Sequence, residues 1–523
     1  MSLWISGLYT FAYRFIQIFS LVLTGLLFVG GFLSTCYSLN METQVVLTSW
    51  DNPFFNLLGM GFFFCLLFLF CRFFLKTKNR LRLLTFLTLG WILFVGALLV
   101  LFSKTVPAAD ALSVYSAAEA FASGDTSVIH PAESYLSYYP QQIGLLAFFE
   151  VFIRIWKLFP VSLPAYHFIK CVYVALACCI VLLQEKTIHL LWKNERADCL
   201  YLLLAGANLP LLLYTSFVYG EIPSLAALSA AFYLLAVLFS EAEPPSQETA
   251  GKLHLLKALG ALLFLSLSVL VRKNSLIPVI AVLIICTLYG IRNQKGKLML
   301  WCLCCALCAL FVLPGTQKLY EHRSGSTLRT GVTAGSYIAM GMQEASRGNG
   351  WYNGFNFETY QLSGMDTETA NVISSQAIQE RLAFFKAHPG YAADFYLKKE
   401  LSQWADGTYA SRQATLATYG GRTSFFESLY TGTGSYFLIA YCNAYQNVLY
   451  LGVLLFLLIN LHKKADIFPL YLGLLCVIGG FLFHTLWEAN SRYIFPYSIL
   501  LLPYTAQGIS ELFSHIAKGK RFR

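Results

Sequence analysis

The chain has few charged residues, and this scarcity distinguishes it from soluble proteins. Only 12% of its 523 residues are Asp, Glu, Lys or Arg, whereas 57% are hydrophobic. Soluble domains carry about a quarter charged residues, so this composition excludes a soluble protein and predicts one that crosses a membrane many times. The hydrophilic segments contain no Cys, because all 14 cysteines lie within or beside apolar runs. This distribution does not predict a disulfide framework.

Two common signatures are also missing. The sequence has no Gly-rich phosphate loop of the Walker type and no zinc-ligand spacing. The net charge of +10 comes mostly from basic residues in short loops between apolar runs, which is typical of cytoplasmic loops. We therefore expect a multi-pass protein of the plasma membrane, with the lipid bilayer and not nucleic acid as its surroundings.

Apolar runs long enough to cross a hydrocarbon core, which needs about 20 residues, dominate the sequence. They predict an all-α polytopic membrane protein with about 12 transmembrane helices. The predicted spans are 11–35, 52–75, 81–103, 163–183, 198–217, 222–240, 253–271, 275–291, 298–313, 434–461, 467–486 and 493–512.

Residues 141–158 form a doubtful thirteenth run, because Glu150, Arg154 and Lys157 are costly inside lipid. If this run does not cross and the N-terminus is inside, the interior loops hold 17 basic residues against six outside. The interior residues are Lys76, Lys78, Arg80, Arg82, Lys186, Lys193, Arg196, Lys252, Arg292, Lys295, Lys297, Lys463, Lys464, Lys518, Lys520, Arg521 and Arg523. A crossing would largely reverse this bias, so we interpret 141–158 as an interfacial exterior helix and expect both termini in the cytoplasm.

Three parts follow from this topology. Residues 1–314 form an N-terminal transmembrane module whose first exterior loop, 105–160, contains amphipathic helices. Residues 315–433 form a small, mainly helical exterior segment, in which Asp366 is predicted to cap a helix that ends near Lys386. A second helix is predicted over Tyr391–Trp404. Residues 434–523 supply the last transmembrane helices and a basic cytoplasmic tail.

Asp110 is the only acid between Asp51 and Glu119, and it follows closely on a predicted span. A carboxylate at this exterior boundary could act as a general base or as a metal ligand. It could equally be the N-cap of a helix, because Asp110-Ala-Leu-Ser resembles a helix start.

Other polar groups lie at predicted exterior turns. Glu221 follows Tyr219 and precedes Pro223, which is also typical of an ordinary turn at a helix start. Arg272 and Lys273 could bind a phosphate or anchor the chain at the interface.

Two further elements complete the candidates. Glu488 and Arg492 are spaced for an intrahelical pair beside Tyr493. The loop containing Tyr139, Gln141 and Gln142 could bind a sugar or lie on lipid headgroups.

Taken in their order along the chain, these motifs resemble those of the GT-C superfamily of glycosyltransferases that use polyprenyl-phosphate sugars. The resemblance is strongest to its bacterial members related to protein mannosyltransferases and aminoarabinose transferases. The matching elements are Asp110 early in the first loop, Tyr139-Pro-Gln-Gln142 late in it, Glu221 at the second exterior turn, and Arg492-Tyr-Ile-Phe-Pro496. Many relatives have Asp where this chain has Glu221. Some have two adjacent acids where it has Ala109-Asp110.

The resemblance implies glycosyl transfer from a polyprenyl-phosphate sugar to a hydroxyl of a cell-envelope glycan, lipid or protein. Asp110 would be the base, Glu221 would orient the acceptor, and Arg272, Lys273 or Arg492 would bind the phosphate. Substrate contacts are expected from Tyr139, Gln141, Gln142, Tyr219, Glu488 and Tyr493. The sequence leaves open whether a divalent metal ion takes part; if one does, Asp110 and Glu221 are its candidate ligands.

Two other functions fit the sequence. One is a transporter or flippase of lipid-linked glycans, which should carry ionisable residues near the middle of the membrane. The other is a non-catalytic membrane partner in the assembly of cell-envelope glycans.

Overall fold

The computed structural model describes residues 3–38, 44–73, 79–130, 134–240, 248–418, 421–462 and 470–519. These residues form 22 α-helices and one two-stranded hairpin. The protein is therefore an all-α polytopic membrane protein. Of the predicted interior basic residues, Lys76, Lys78, Lys463, Lys464, Lys520, Arg521 and Arg523 lie outside the described ranges.

The first half of the chain contains most of the long helices. Their bounds are α1 (Leu3–Leu33), α2 (Pro53–Phe73), α3 (Arg80–Phe102), α4 (Ala109–Ala122), α5 (Tyr135–Tyr138), α6 (Ile143–Trp156), α7 (Ala165–Trp192), α8 (Glu195–Gly206), α9 (Leu209–Tyr214), α10 (Glu221–Ser240), α11 (Glu248–Val271) and α12 (Leu276–Arg292). The hairpin between α1 and α2 pairs β1 (Ser34–Ser38) antiparallel with β2 (Val46–Trp50).

The second half alternates long helices with short ones. Their bounds are α13 (Gly296–Ser324), α14 (Ala334–Gly341), α15 (Phe355–Leu362), α16 (Thr367–Ala387), α17 (Pro389–Trp404), α18 (Ser411–Ala414), α19 (Ser424–Tyr430), α20 (Thr433–Ile459), α21 (Leu472–Leu486) and α22 (Phe495–Gly519). The segment predicted to start at 315 thus begins inside α13.

Among the described residues, nine helices are long and apolar enough to cross a membrane, namely α1, α2, α3, α7, α10, α11, α12, α13 and α20. They match nine of the twelve predicted spans. The span predicted over 198–217 is instead two helices, α8 and α9. The break has a local cause: the side chain of Asn208 accepts a hydrogen bond from the backbone N–H of Leu211 at 2.9 Å and so starts a new helix, with Pro210 in its first turn. The remaining two predicted spans correspond to α21, which has only 15 residues, and to α22.

The doubtful run 141–158 contains α6, which has 14 residues. At ~1.5 Å per residue it measures about 21 Å, shorter than a hydrocarbon core of about 30 Å. Its buried Glu150 accepts hydrogen bonds from Arg154 at 2.8 Å, from Arg323 at 2.5 Å and from the hydroxyl of Tyr320. Burial alone would raise the pKa of Glu150, but these bonds lower it to about 2. The ionised Glu150 therefore ties α6 to the end of α13.

The two helices predicted within 315–433 are present. Asp366 accepts a hydrogen bond from the N–H of Thr369 at 2.7 Å and caps α16, which ends at Ala387 before His388-Pro389. In α17, Phe395 and Trp404 are buried, and the ring of Trp404 lies 5.8 Å from that of Phe481 in α21. The helix therefore packs on the bundle.

One end of the bundle carries most of the non-spanning chain. We call it the loop face: residues 105–130, 134–164, 325–418 and 421–432, with the turns at 219–221, 272–275 and 487–493. A β-bridge joins Thr105 to Thr418, and another joins Trp351 to Ala489. These contacts hold segments far apart in sequence against each other, so the loop face is one structure.

Candidate active site

A buried carboxylate lies at the centre of the loop face. Glu221 begins α10 and is 1% exposed, and the positive end of the helix dipole favours a negative charge there. Its Oε1 is 2.6 Å from a guanidinium nitrogen of Arg272, at the end of α11, and 3.5 Å from Nε of Arg492, in a 3-10 turn before α22. Three helix ends thus bring together one acid and two guanidinium groups.

The charges of this cluster do not balance. The two guanidinium groups are cationic, whereas Glu221 is the one acid among the described residues that forms an ion pair with both of them. Neither contact has hydrogen-bond geometry, so the donors of Arg272 and Arg492 are not fully used by Glu221. Arg272, Arg492 and Glu221 together carry one net positive charge that an anion could neutralise.

Aromatic rings surround the two guanidinium groups. The guanidinium of Arg492 is 5.1 Å from the ring centre of Tyr219, 5.6 Å from that of Tyr493 and 5.8 Å from that of Phe217. Arg272 lies 5.7 Å from the ring centre of Tyr493. Such cation–π contacts orient the guanidinium groups while leaving N–H donors for a ligand.

Tyr219 connects this cluster to the first loop. Its hydroxyl accepts a hydrogen bond from Nε2 of Gln142 at 2.6 Å, and its carbonyl accepts one from the hydroxyl of Tyr173 at 2.5 Å. Gln141 lies in the same 3-10 turn as Gln142 and is half-buried, but no side-chain hydrogen bond joins it to a described residue.

Asp110 is exposed and is the second residue of α4. The interpretation of Asp110 as the helix cap is wrong: Ala108 occupies the cap position, and no side chain caps this helix. Between them, Ala109 has a left-handed backbone with φ 48°, a conformation that costs an L-residue roughly 1–2 kcal/mol. This strained residue lies directly before Asp110 in the chain.

The charge of Asp110 acts on tyrosines of the site. Burial raises the pKa of Tyr219, and the charge of Asp110 raises it further while Arg492 opposes the rise. Burial and the charges of Asp110 and Glu488 likewise raise the pKa of Tyr139. Asp110 therefore belongs to the electrostatic surroundings of Tyr219 and Tyr139.

Glu488 is the third acid of the site and is 7% exposed. Burial raises its pKa to about 7; the charge of Asp110 adds to the rise, while Arg492 and a 3.4 Å hydrogen bond from Tyr493 oppose it. The expected intrahelical pair between Glu488 and Arg492 is wrong. Residues 487–490 are not helical, because Ala489 pairs with Trp351, and Arg492 faces Glu221 instead.

Lys273 is the predicted residue that the structure does not bring into this cluster. Its side chain is exposed and makes no ion pair with a described residue. Arg272 and Lys273 are adjacent in sequence but differ in environment, since Arg272 pairs with the buried Glu221 whereas the Lys273 side chain is exposed.

Several residues near the site were not predicted. Tyr337 stacks on Trp487 with ring centres 4.8 Å apart, and Arg347 lies 5.0 Å over the ring of Tyr352. The charges of Asp110 and Glu488 contribute to the raised pKa of both tyrosines, after burial as the main cause. The only signal was the Gly- and Tyr-rich composition at the start of the exterior segment, which does not indicate what those rings contact.

Two buried charges hold the turn that carries Glu488 and Arg492. Lys399 donates to the carbonyls of Gly341 at 2.5 Å, Thr485 at 2.9 Å and Trp487 at 2.8 Å. The carboxylate of Asp406 accepts from the hydroxyl of Ser491 at 2.6 Å. The segment between α13 and α20 thus fixes the turn at both ends.

The residues present do not fit a metal ion. Glu221 lies within 2.6 Å of a guanidinium nitrogen, and the two nearby positive charges would repel a cation. Within the described ranges, no group of three or more His, Cys, Asp or Glu side chains is placed to hold a metal ion.

Comparisons with known proteins give two matches. The solved structure of the archaeal oligosaccharyltransferase AglB from Archaeoglobus fulgidus, in complex with an inhibitory peptide and a dolichol-phosphate, aligns with 84% of this chain at 12% identity and a TM-score of 0.44. The alignment covers 51% of that protein, so this chain spans about half its length. A search of curated proteins gives no match. A family model matches residues 8–508, and the chain belongs to that family, described as conserved hypothetical integral membrane protein.

Proposed function

We propose that this protein is a membrane glycosyltransferase that moves a sugar from a polyprenyl-phosphate carrier to an acceptor hydroxyl at the exterior face. The observation that carries the proposal is the pair of guanidinium groups sharing Glu221, next to a tyrosine, Tyr219, on which the charge of Asp110 also acts. The loop face is then the exterior side of the plasma membrane.

The cluster suits one phosphodiester. A polyprenyl-phosphate sugar carries a single negative charge, which matches the net positive charge of Arg272, Arg492 and Glu221. Arginine binds phosphate oxygens with two parallel N–H donors, and both groups have donors that Glu221 does not use. In this proposal Glu221 positions the two arginines, a role different from contact with the acceptor.

The reaction is a direct displacement. Asp110 accepts the proton of the acceptor hydroxyl, whose oxygen forms a bond to the anomeric carbon. The bond between that carbon and the phosphate oxygen breaks with inversion, and its electron pair stays on the polyprenyl phosphate. Arg272 and Arg492 stabilise the second negative charge that develops there.

The acceptor enters from the exterior segment. The charges of Asp110 and Glu488 add to the raised pKa of Tyr337 and Tyr352 in this segment and of Tyr139 in the first loop, after burial as the main cause. Flat aromatic faces next to carboxylates suit the apolar and hydroxyl-bearing faces of a sugar, so a cell-envelope glycan is our first choice over a lipid or protein acceptor.

The direct test is a transfer assay. Purified protein in lipid vesicles receives labelled polyprenyl-phosphate hexoses together with an envelope fraction as acceptor, in parallel with labelled nucleotide sugars. We expect label in the acceptor only from the lipid-linked donors. Transfer from nucleotide sugars with none from any lipid-linked sugar would contradict the proposal.

Donor affinity should depend on pH through Glu488, whose pKa is about 7. When Glu488 is protonated the site is more positive, so the anionic donor binds more tightly below pH 7 and more weakly as pH rises through 7. The donor phosphodiester keeps one charge over this range. We expect the dissociation constant of the donor to rise severalfold between pH 6 and pH 8, which lie roughly one unit below and above this pKa. Glu488→Gln should remove this dependence. An unchanged pH profile in Glu488→Gln would exclude Glu488 as the titrating group.

A further inference from the structure

One cation on the loop face has no part in the proposed reaction. Arg347 lies between α14 and α15, in residues 342–354, a segment with three glycines that we call the glycine loop. Arg347 is half-buried and forms no ion pair with another described residue. A partly desolvated cation without a counter-charge is unusual, so its surroundings are informative.

The glycine loop is attached to the turn that carries Glu488. The carbonyl of Gly350 accepts a hydrogen bond from the N–H of Ala489 at 2.7 Å, and Trp351 forms the parallel β-bridge with the same residue. Gly350 has φ 71°, and a Cβ there would lie 2.7 Å from the carbonyl oxygen of Gly341, so the close approach requires glycine. The loop and the turn therefore pack as one unit.

Tyr352 and Glu488 flank this bridge. Successive side chains of an extended chain point to opposite faces, so both lie on the face opposite to Trp351, which is 1% exposed. The charge of Glu488 contributes to the raised pKa of Tyr352, after burial as the main cause. Tyr352 therefore borders the space beside Glu488, on the side from which we propose that the acceptor enters.

Neutral groups hold Arg347 over Tyr352. The guanidinium carbon is 5.0 Å from the centre of the Tyr352 ring, and Nη1 donates to Oε1 of Gln44 at 2.6 Å. The carbonyl of Arg347 accepts from the N–H of Val46 at 2.9 Å, which ties the glycine loop to the start of β2. A guanidinium has five N–H donors, and the contact with Gln44 is the one side-chain hydrogen bond that Arg347 makes to a described residue. The other donors can bind an anion without first losing an ion pair.

This arrangement differs from that of the two arginines in the cluster. Arg272 and Arg492 share Glu221 and together match the single charge of the donor phosphodiester. Arg347 belongs to another element, the glycine loop, and no described acid pairs with it. Its counter-charge is therefore expected from the second substrate, the acceptor.

We propose that Arg347 binds an acidic group of the acceptor, a carboxylate or a phosphate, so that the acceptor is an anionic cell-envelope glycan. This inference rests on the proposed function and names the acceptor class for the same site. Both kinds of group accept two parallel N–H donors from a guanidinium. A neutral glycan would leave the cation unpaired.

The first test changes the charge of the acceptor and uses the wild-type protein. The envelope glycans of the transfer assay are separated by anion exchange into neutral and acidic fractions. Part of the acidic fraction is amidated at its carboxylates, and another part is freed of phosphate with hydrogen fluoride. We expect label from the lipid-linked donor in the acidic fraction, and one of the two treatments should lower the initial rate at limiting acceptor by about tenfold or more, the usual effect of losing a hydrogen-bonded charge. Equal transfer to neutral, untreated and treated glycans would overturn the inference.

The second test changes Arg347. Arg347→Met keeps much of the stem and removes the donors, so transfer to the untreated acidic glycan should fall to the rate of the treated one, which itself should change by less than about twofold. Lys386→Met is the matched control, because it removes an exposed cation of α16 and should leave both rates as in wild type. An equal loss for both acceptors in folded Arg347→Met would show a structural role and overturn the inference. A loss of binding confined to a polyprenyl-diphosphate sugar, compared with the monophosphate, would assign Arg347 to the donor instead.

A binding measurement separates this inference from the proposed function. The wild-type protein in vesicles is titrated with labelled acidic glycan, untreated and treated, in the absence of donor. If the untreated glycan binds more tightly in wild type but not in Arg347→Met, and no sugar is transferred from any donor, the proposed function fails and the anion site stands. If sugar is transferred but neither treatment alters binding or transfer, the anion site fails and the function stands.

Discussion

Replacing Asp110 with Asn should reduce sugar transfer by about 10²–10⁴-fold, the range contributed by a positioned general base. Asn has nearly the same shape as Asp but cannot accept the proton of the acceptor hydroxyl. Because Asp110 is exposed and does not cap α4, the substitution should leave the fold intact. The loss should therefore appear in kcat, with the dissociation constant of the lipid-linked donor close to that of wild type.

The control for this substitution is on the same helix. Glu119 is also an exposed acid of α4, and Glu119→Gln removes the same charge about two and a half turns away. It should keep transfer within about twofold of wild type, as surface substitutions away from a site usually have small effects. Full activity in Asp110→Asn would exclude Asp110 as the base and leave the arginine cluster without a catalytic partner.

Much of this fold could be predicted because lipid imposes simple rules on the sequence. Runs such as 52–75 and 81–103 had to be helices, since a backbone inside lipid must satisfy its own hydrogen bonds. Asp366 could be recognised as a cap because its hydrogen-bond partner, Thr369, lies three residues away. The helix break at Asn208 is not predicted, because Asn208 and Pro210 lie within a continuous, Leu-rich apolar run.

The candidate site could be predicted only as a set of separate turns. Glu221, Arg272 and Arg492 each lie at a predicted exterior turn with few other charges, but no local pattern shows that two of them face the third. The contacts depend on how α10, α11 and α22 pack, which hydropathy does not determine. Lys273 shows the same limit. Its adjacency to Arg272 suggests a shared role, but its side chain is exposed whereas Arg272 pairs with Glu221.

Replacing Arg272 with Met should lower kcat/KM for the lipid-linked donor by about 10²–10³-fold, the usual loss when one preorganised donor to a developing negative charge is removed. Met keeps much of the apolar stem, so packing against Tyr493 should change little. Both the donor dissociation constant and kcat should suffer, because the guanidinium interacts with the phosphate before transfer and more strongly as its charge grows. Lys273→Met is the matched control next to it, and we expect it to behave like wild type within about twofold.

The same experiment can separate the role of Glu221 from direct contact with the acceptor. If Glu221 acts by positioning Arg272 and Arg492, then Glu221→Gln should weaken transfer strongly in the wild-type background but much less in Arg272→Met, because one target of its action is already gone. The two losses would then be non-additive by about 1 kcal/mol or more, the coupling expected for residues in direct contact. Additive losses, or a Glu221→Gln effect that appears only as a higher KM for the acceptor, would show that Glu221 contacts the acceptor and that the arginines hold their positions without it.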